Sequence, residues 1–327
     1  MTLIRRQFLQ AAVAALVSPT IASITWAQSN YPTRPVRVIV PFPPGGGTDI
    51  FARIAAQKLS ERLGQQFYVE NIGGAGGNIG IGQAARAQPD GYTVLFAFGS
   101  FAVNPSLYAR VPYNAVNDFE PVTLAVATPT TLVVHPSVPA TTVRELIELI
   151  RANPGKYSYA HGGFGTQAHL TGEQFRLSLA LDLVHVPYSG AGPSNAAVLA
   201  GHTSLGFSSL AAAAQYVKDG QLRALAVTSN TRSSALPDVP TMAETGLPEI
   251  VGDSWVGVLL PAGATKDIIG LLHRTIVQIM AQSDMKERLA TLGYEPIAST
   301  PEDFGKRIKV ELETWGRVIR SANIRTL

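Results

Sequence analysis

Residues 36–64, VRVIVPFPPGGGTDIFARIAAQKLSERLG, constrain the fold more than any other stretch of this chain. Val36–Val40 is a short apolar run that ends at Pro41, which reads as a buried strand. A stiff, glycine-rich turn follows through Gly47. Thr48 suits the N-cap of an amphipathic helix and Asp49 its first turn. Ile50, Phe51, Ile54 and Ala55 recur at helical spacing, and Gly64 marks the stop. A strand that runs through a glycine turn into a helix N-terminus aims backbone N–H groups at a small space and favours anions there.

Spacing excludes two common anions. A nucleotide P-loop needs G-x-x-x-x-G-K-[ST], and Gly45-Gly46-Gly47-Thr48-Asp49 offers no lysine and sets an aspartate beside the site. A dinucleotide turn needs G-x-G-x-x-G, which neither Gly45–Gly47 nor Gly73–Gly80 supplies, since Ile79 stands where the third glycine belongs. On spacing alone, a tight turn without a ligand reads equally well.

The chain has 327 residues, enough for two domains and a sizeable core. Its hydrophobic content of 46% and charge of 15% describe an ordinary folded protein. Arg5 and Arg6 are two of the 26 basic residues, and no acidic residue precedes position 28. The remainder therefore carries 24 basic against 23 acidic residues, with no basic stripe, and no nucleic-acid surface is expected. Residues 1–27 read as an export signal, with Thr25-Trp26-Ala27 as the cleavage site and the periplasm as destination. Arg5-Arg6-Gln7-Phe8-Leu9 resembles a twin-arginine signal, although Ile4 replaces the usual polar residue. A general secretory signal or an uncleaved anchor are the alternatives. The chain has no cysteine, so disulfides, thiol chemistry and lipid anchoring through cysteine are excluded.

From Asn30 onward, strand-like and helix-like segments alternate, implying parallel sheets covered by helices. Two strands, Val122–Ala127 and Thr131–His135, are expected on either side of Thr128-Pro129. One long helix is expected near Lys266–Gln282 and another near Pro301–Ala322. The opening unit recurs. Tyr157–Ala160, the turn His161–Thr166 and a helix from Gln167 repeat it. Leu183–Pro187, the turn Tyr188–Pro193 and a helix from Ser194 repeat it again. Ligands of open parallel sheets sit outside the carboxyl ends of strands, so turns on two sheets fit a ligand held between two lobes.

These segments resemble a known family. Pro41–Asp49, Val69-Glu70-Asn71, Gly74–Gly80, Pro89–Thr93, Asn104–Tyr108, Asp118–Val122, Gly165-Thr166 with His169-Leu170, Val184–Tyr188, Leu222–Thr228, Leu236–Thr241 and Ser254-Trp255 are all similar to it. The chain resembles the Bug-type periplasmic solute receptors of tripartite tricarboxylate transporters over nearly its whole length after the signal. The resemblance implies a type II periplasmic-binding fold, an α/β architecture of two lobes with a two-strand hinge, closing on a small organic carboxylate. It implies membrane transporter subunits, or a sensor protein, as partners of a monomer. It also implies that Phe42–Thr48 and His161–Thr166 grip the carboxylate through backbone N–H groups, hydroxyls and waters. The candidate site residues are Phe42, Pro43, Gly45, Gly46, Gly47, Thr48, Gly99, Ser100, His161, Gly163, Phe164, Gly165, Thr166, Tyr188, Ser189 and Ser208. No Lys or Arg lies in any of the three turns, so helix N-termini and the Thr166, Ser189 and Ser100 hydroxyls are the expected donors. The lobes are expected over residues 28–127 plus 252–327 and over 128–251.

The chain departs from the family where Ala-Ser-Ser-Gly-x-Gly-Thr is common: it has Ala160-His161-Gly162-Gly163-Phe164-Gly165-Thr166. Ser208-Ser209 stands where an acid is frequent. An aromatic or otherwise apolar carboxylate is the expected ligand. His161 either charge-assists that carboxylate or packs in the turn, and Trp255 lines the cleft or the core. Asp49 reads as a helix-dipole residue. His169 and Glu173, at i and i+4, are two metal ligands without a third, so no metal or cofactor is expected. His135, His185, His202 and His273 read as structural. With no G-x-S-x-G, H-E-x-x-H or cysteine, catalysis is not expected.

Overall fold

The computed structural model describes residues 31–321, and the expected export signal lies outside them. The strands are β1 (Val36–Val40), β2 (Phe67–Asn71), β3 (Thr93–Phe98), β4 (Phe119–Val134), β5 (Ser158–His161), β6 (Val184–Pro187), β7 (Leu205–Ser209), β8 (Arg223–Val227), β9 (Asp253–Pro261) and β10 (Glu295–Pro296). The helices are α1 (Gly47–Leu63), α2 (Asn78–Ala85), α3 (Ser100–Leu107), α4 (Val143–Ala152), α5 (Gln167–Ser178), α6 (Ala191–Leu199), α7 (Leu210–Lys218), α8 (Lys266–Met280), α9 (Ser283–Thr291) and α10 (Pro301–Ser321). Among the described residues, no helix is long and apolar enough to cross a membrane.

The strands run in the order β2-β1-β3-β9-β4-β7-β5-β6, with β8 and β10 also on β4. Pairing is parallel for β1 with β2 and β3, and for β5 with β6 and β7. It is antiparallel wherever β4 or β9 takes part. The sheet is therefore mixed, not purely parallel: the expected parallel units form its two ends, and the strands that join them run the other way.

The two strands expected around Thr128-Pro129 are one 16-residue strand, β4. What changes there is the partner. Phe119–Pro129 pairs with β9, and Thr130–Val134 pairs with β7. Proline has no N–H for a ladder, so it fits where a strand leaves one sheet for another. Thr228 ties the crossing together. Its hydroxyl accepts from Thr130 N (2.9 Å) and donates to the Gly252 carbonyl (2.6 Å) at the start of β9.

Each half has its own core. Leu132, Leu146, Tyr159, Phe175, Phe207 and Met242 cluster in one. Ile39, Leu95, Phe101, Leu259 and Phe304 cluster in the other. Burying each such side chain contributes about 1.5–3 kcal/mol. Helix α3 runs through Pro105, whose missing N–H would have bonded the Phe101 carbonyl; the Tyr113 hydroxyl donates to that oxygen instead (3.1 Å). The expected single helix to Gln282 stops at Met280, and Gln282, extended, becomes the N-cap of α9.

Candidate functional site

Three helices, α1, α5 and α6, begin at the carboxyl ends of β1, β5 and β6, and their N-termini converge. The first turn is held from behind. Asp49 accepts from Gly45 N (3.0 Å), Arg53 Nε (3.0 Å) and Asn71 Nδ2 (2.8 Å), and Asn71 also donates to the Phe42 carbonyl (2.9 Å). The aspartate, compensated by Arg53, shapes the turn. Helix α1 is capped two residues earlier than expected: Gly46 is its N-cap, and Thr48 lies inside the first turn. The Tyr294 hydroxyl donates to the Gly47 carbonyl from below. Intrahelical bonding begins with Ile50 N to Gly46 O, so the Gly47 and Thr48 N–H groups, which come before it, point out of the helix end.

The opposing turns meet it closely enough to require glycine. A methyl group at Gly192 would stand 2.5 Å from the Pro44 carbonyl oxygen, and one at Gly190 would stand 3.0 Å from Pro43 Cδ. One at Gly165 would stand 2.3 Å from Asn104 Oδ1. The halves are closed on each other. Between them lies a small space of about 40 Å³, lined from both sides. Gly46, Gly47, Thr48, Gly162, Thr166, Ser209 and Ser254 give it polar edges; Phe42, Phe98, Ala168 and Ala191 give it an apolar body. Phe42 and Phe98 meet edge to face at 5.8 Å. No charged residue lines this space.

The candidate residues fall into several places. Phe42, Gly46, Gly47, Thr48 and Thr166 line the space. Pro43 and Gly45 pack against Gly190 and Gly192 across the interface. Gly99 lines a separate crevice beside Trp255, and Ser100 is fully buried with its hydroxyl unpartnered. Gly163 and Gly165 shape the second turn with φ of +112° and +78°. Tyr188 is half-buried beside Gly163, and Ser189 faces solvent. Ser208 and Ser209 alternate on β7, so they face opposite sides; Ser209 is the one in the lining, and its hydroxyl has no partner. The Thr166 hydroxyl spends its proton on the Gly163 carbonyl (2.7 Å) and accepts from His169 N (3.3 Å), so it caps α5. It is not the free donor expected from the sequence. Ser209 and Ser254 were missed; a hydroxyl pair at the end of β7 was the available signal for Ser209.

His161 and Phe164 lie behind the turn, outside the lining. His161 is 0% exposed and packs with His169, His185, Tyr159 and Phe164. Burial, then the neighbouring His169, holds its pKa down to about 3; burial likewise holds His169 at about 4. Both rings are neutral at pH 7, which removes the charge-assisting role for His161. Glu173 does not pair with His169 by hydrogen bond. It accepts from the Tyr159 hydroxyl (2.7 Å) and from Arg176 (2.6 Å). Burial pushes the Glu173 carboxyl up, but these partners outweigh it and the net direction is down. The third histidine absent from the sequence pattern is supplied by His185 on β6, beside β5. Trp255 belongs to the core: its indole N–H donates to Glu311 (2.9 Å) and its ring meets Phe304 edge to face.

Comparison with known proteins agrees with this geometry. Residues 51–324 match the tripartite tricarboxylate transporter family receptor. The chain is 37% identical to Protein BugT of Bordetella pertussis, over 94% of each sequence. The solved periplasmic binding protein BugD is 35% identical, with a TM-score of 0.87 over 91% of this chain and all of that one. The R. palustris protein Rpa4515, solved with adipate, is 33% identical, with a TM-score of 0.88 over the same shares. The two-lobed α/β fold is thus that of periplasmic binding proteins, which are receptors and not enzymes. This chain belongs to the tripartite tricarboxylate transporter receptor family.

Proposed function

We propose that this receptor closes on a small carboxylate with an apolar body and presents it to the membrane subunits of its transporter. The observation that carries this reading is the lining of the closed space. Helix N-termini and the unpartnered Ser209 hydroxyl supply donors for a carboxylate, and no cation competes for it. Two phenyl rings and two alanine methyls surround the remainder. A polyol or amino acid would leave its own polar groups unpaired against these walls. The adipate bound by Rpa4515, two carboxylates on an aliphatic chain, supports the same class of ligand.

The lobes in this reading are residues 28–127 with 252–327, and residues 128–251, hinged where β4 and β9 cross. The working form is a monomer, released in the periplasm by cleavage after Ala27. A thermal-shift screen tests the ligand. Aliphatic and aromatic carboxylates should raise the unfolding temperature, whereas citrate and aspartate should not. Strong stabilisation by citrate or aspartate, with none by the apolar acids, would refute the assignment.

A further inference from the structure

The three imidazoles behind the second glycine turn have a geometry that packing alone does not require. His161 ends β5, His185 lies on the adjacent β6, and His169 sits in the first turn of α5. Each offers one nitrogen, and the three nitrogens lie within 4.8 Å of one another. The ring centroids are 4.7, 5.7 and 6.0 Å apart. Such a triangle has one point equidistant from all three corners, at about 3.2 Å. A metal held 2.0–2.1 Å from an imidazole nitrogen sits about 3.2 Å from that ring's centre. His161 Nε2 and His185 Nδ1 are 3.4 Å apart, long for a hydrogen bond, while two nitrogens on one tetrahedral zinc stand about 3.4 Å apart.

We propose that His161, His169 and His185 bind a divalent transition-metal ion of the zinc class. An all-imidazole set suits zinc, copper or nickel and discriminates against magnesium and calcium. The Phe164 ring stands edge to face over all three imidazoles, 5.9, 5.2 and 5.7 Å from their centroids. It covers one side of the triangle, so a fourth ligand approaches from the other.

Loading the ion acts on the turn. His161 Nδ1 accepts from Gly163 N (3.3 Å), and His169 Nδ1 accepts from Gly165 N (3.4 Å). A metal on Nε2 places the proton on Nδ1, so these long contacts give way. Gly163 and Gly165 hold positive φ that only glycine adopts freely, so their peptides are able to turn. The metal site thereby governs the turn that carries Gly162 and Thr166 to the binding space. This site goes beyond the carboxylate reading and stands without it.

The test uses the full chain without an affinity tag, stripped by a chelator and titrated with Zn²⁺ by calorimetry and with Co²⁺ by visible absorption. One equivalent should bind, with a tetrahedral Co²⁺ spectrum. His185→Gln and, separately, His169→Gln should each weaken binding by at least about tenfold. The exposed His202→Gln should not. Circular dichroism confirms that each variant folds, and either folded variant decides the matter. Absence of stoichiometric binding to the unmodified chain, or wild-type affinity in a folded His185→Gln or His169→Gln variant, would overturn the proposal.

Discussion

Gly192→Ala separates closure from folding. Gly192 is the second residue of α6, where alanine is a better helix former than glycine. Within its own half, the new methyl group costs nothing. In the closed protein it stands 2.5 Å from the Pro44 carbonyl oxygen, where an ordinary carbon–oxygen contact needs about 3.3–3.6 Å. The halves must part by roughly 1 Å at this point. Overpacking of one methyl group costs about 1–3 kcal/mol, and here only the closed state bears it. At about 1.4 kcal/mol per factor of ten, ligand affinity should fall roughly 5- to 150-fold. Calorimetry with the strongest carboxylate from the screen reads this, and urea unfolding of the ligand-free protein should show no loss. Gly201→Ala should do the reverse. Gly201 has φ of +71° and open space around it, so alanine costs about 1–2 kcal/mol of stability and leaves affinity alone. Unchanged affinity in Gly192→Ala would refute the reasoning, because the ligand would then be held without this contact.

Two further outcomes are expected. The metal-free protein should lose stability in acid: His161 and His169 titrate at about 3 and about 4 when folded, below the ordinary 6.5 when unfolded. A depressed histidine pKa leaves stability full above pH 6.5 and removes it as pH falls toward the folded values. Urea unfolding should therefore lose about 2 kcal/mol per histidine between pH 7 and pH 5, and a flat profile would contradict their burial as neutral rings. Thr228→Val should cost about 1–3 kcal/mol by leaving the buried Thr130 N–H unpaired, and an unchanged urea midpoint would show that the crossing does not depend on that hydroxyl.

The repeated unit of strand, glycine turn and helix was legible because each part has a local cause. Apolar β-branched runs, positive-φ glycines and capping hydroxyls act within a few residues of one another. What escaped depended on partners far away in sequence. Pro129 reads as a break until β9 and β7 appear on either side of it. Helix α3 carries no clear mark in the sequence and runs through Pro105 with the Tyr113 hydroxyl on the Phe101 carbonyl. Thr166 reads equally well as a cap or as a ligand donor; only the fate of its single proton separates the two. Ser254 carries no local mark, since its place in the lining is set by where β9 crosses.

The same distinction explains how this site divides its work. Carboxylate binding needs only backbone N–H groups at helix ends, which any residue supplies, so it rests on turn geometry and tolerates the loss of two serines from the second turn. Of the residues that depart from the family pattern there, Gly162 lines the binding space, whereas His161 and Phe164 do not reach it. They fill the volume behind it, together with His169 and His185. Substitution there changes what stiffens the turn rather than what touches the ligand. In the proposed reading, selectivity for the ligand body falls to Phe42, Phe98, Ala168 and Ala191, of which the first two belong to one half and the last two to the other. Closure is what brings those walls together, so in this receptor discrimination and closure are one event: a ligand too polar for the walls also lacks the contacts that hold the halves shut.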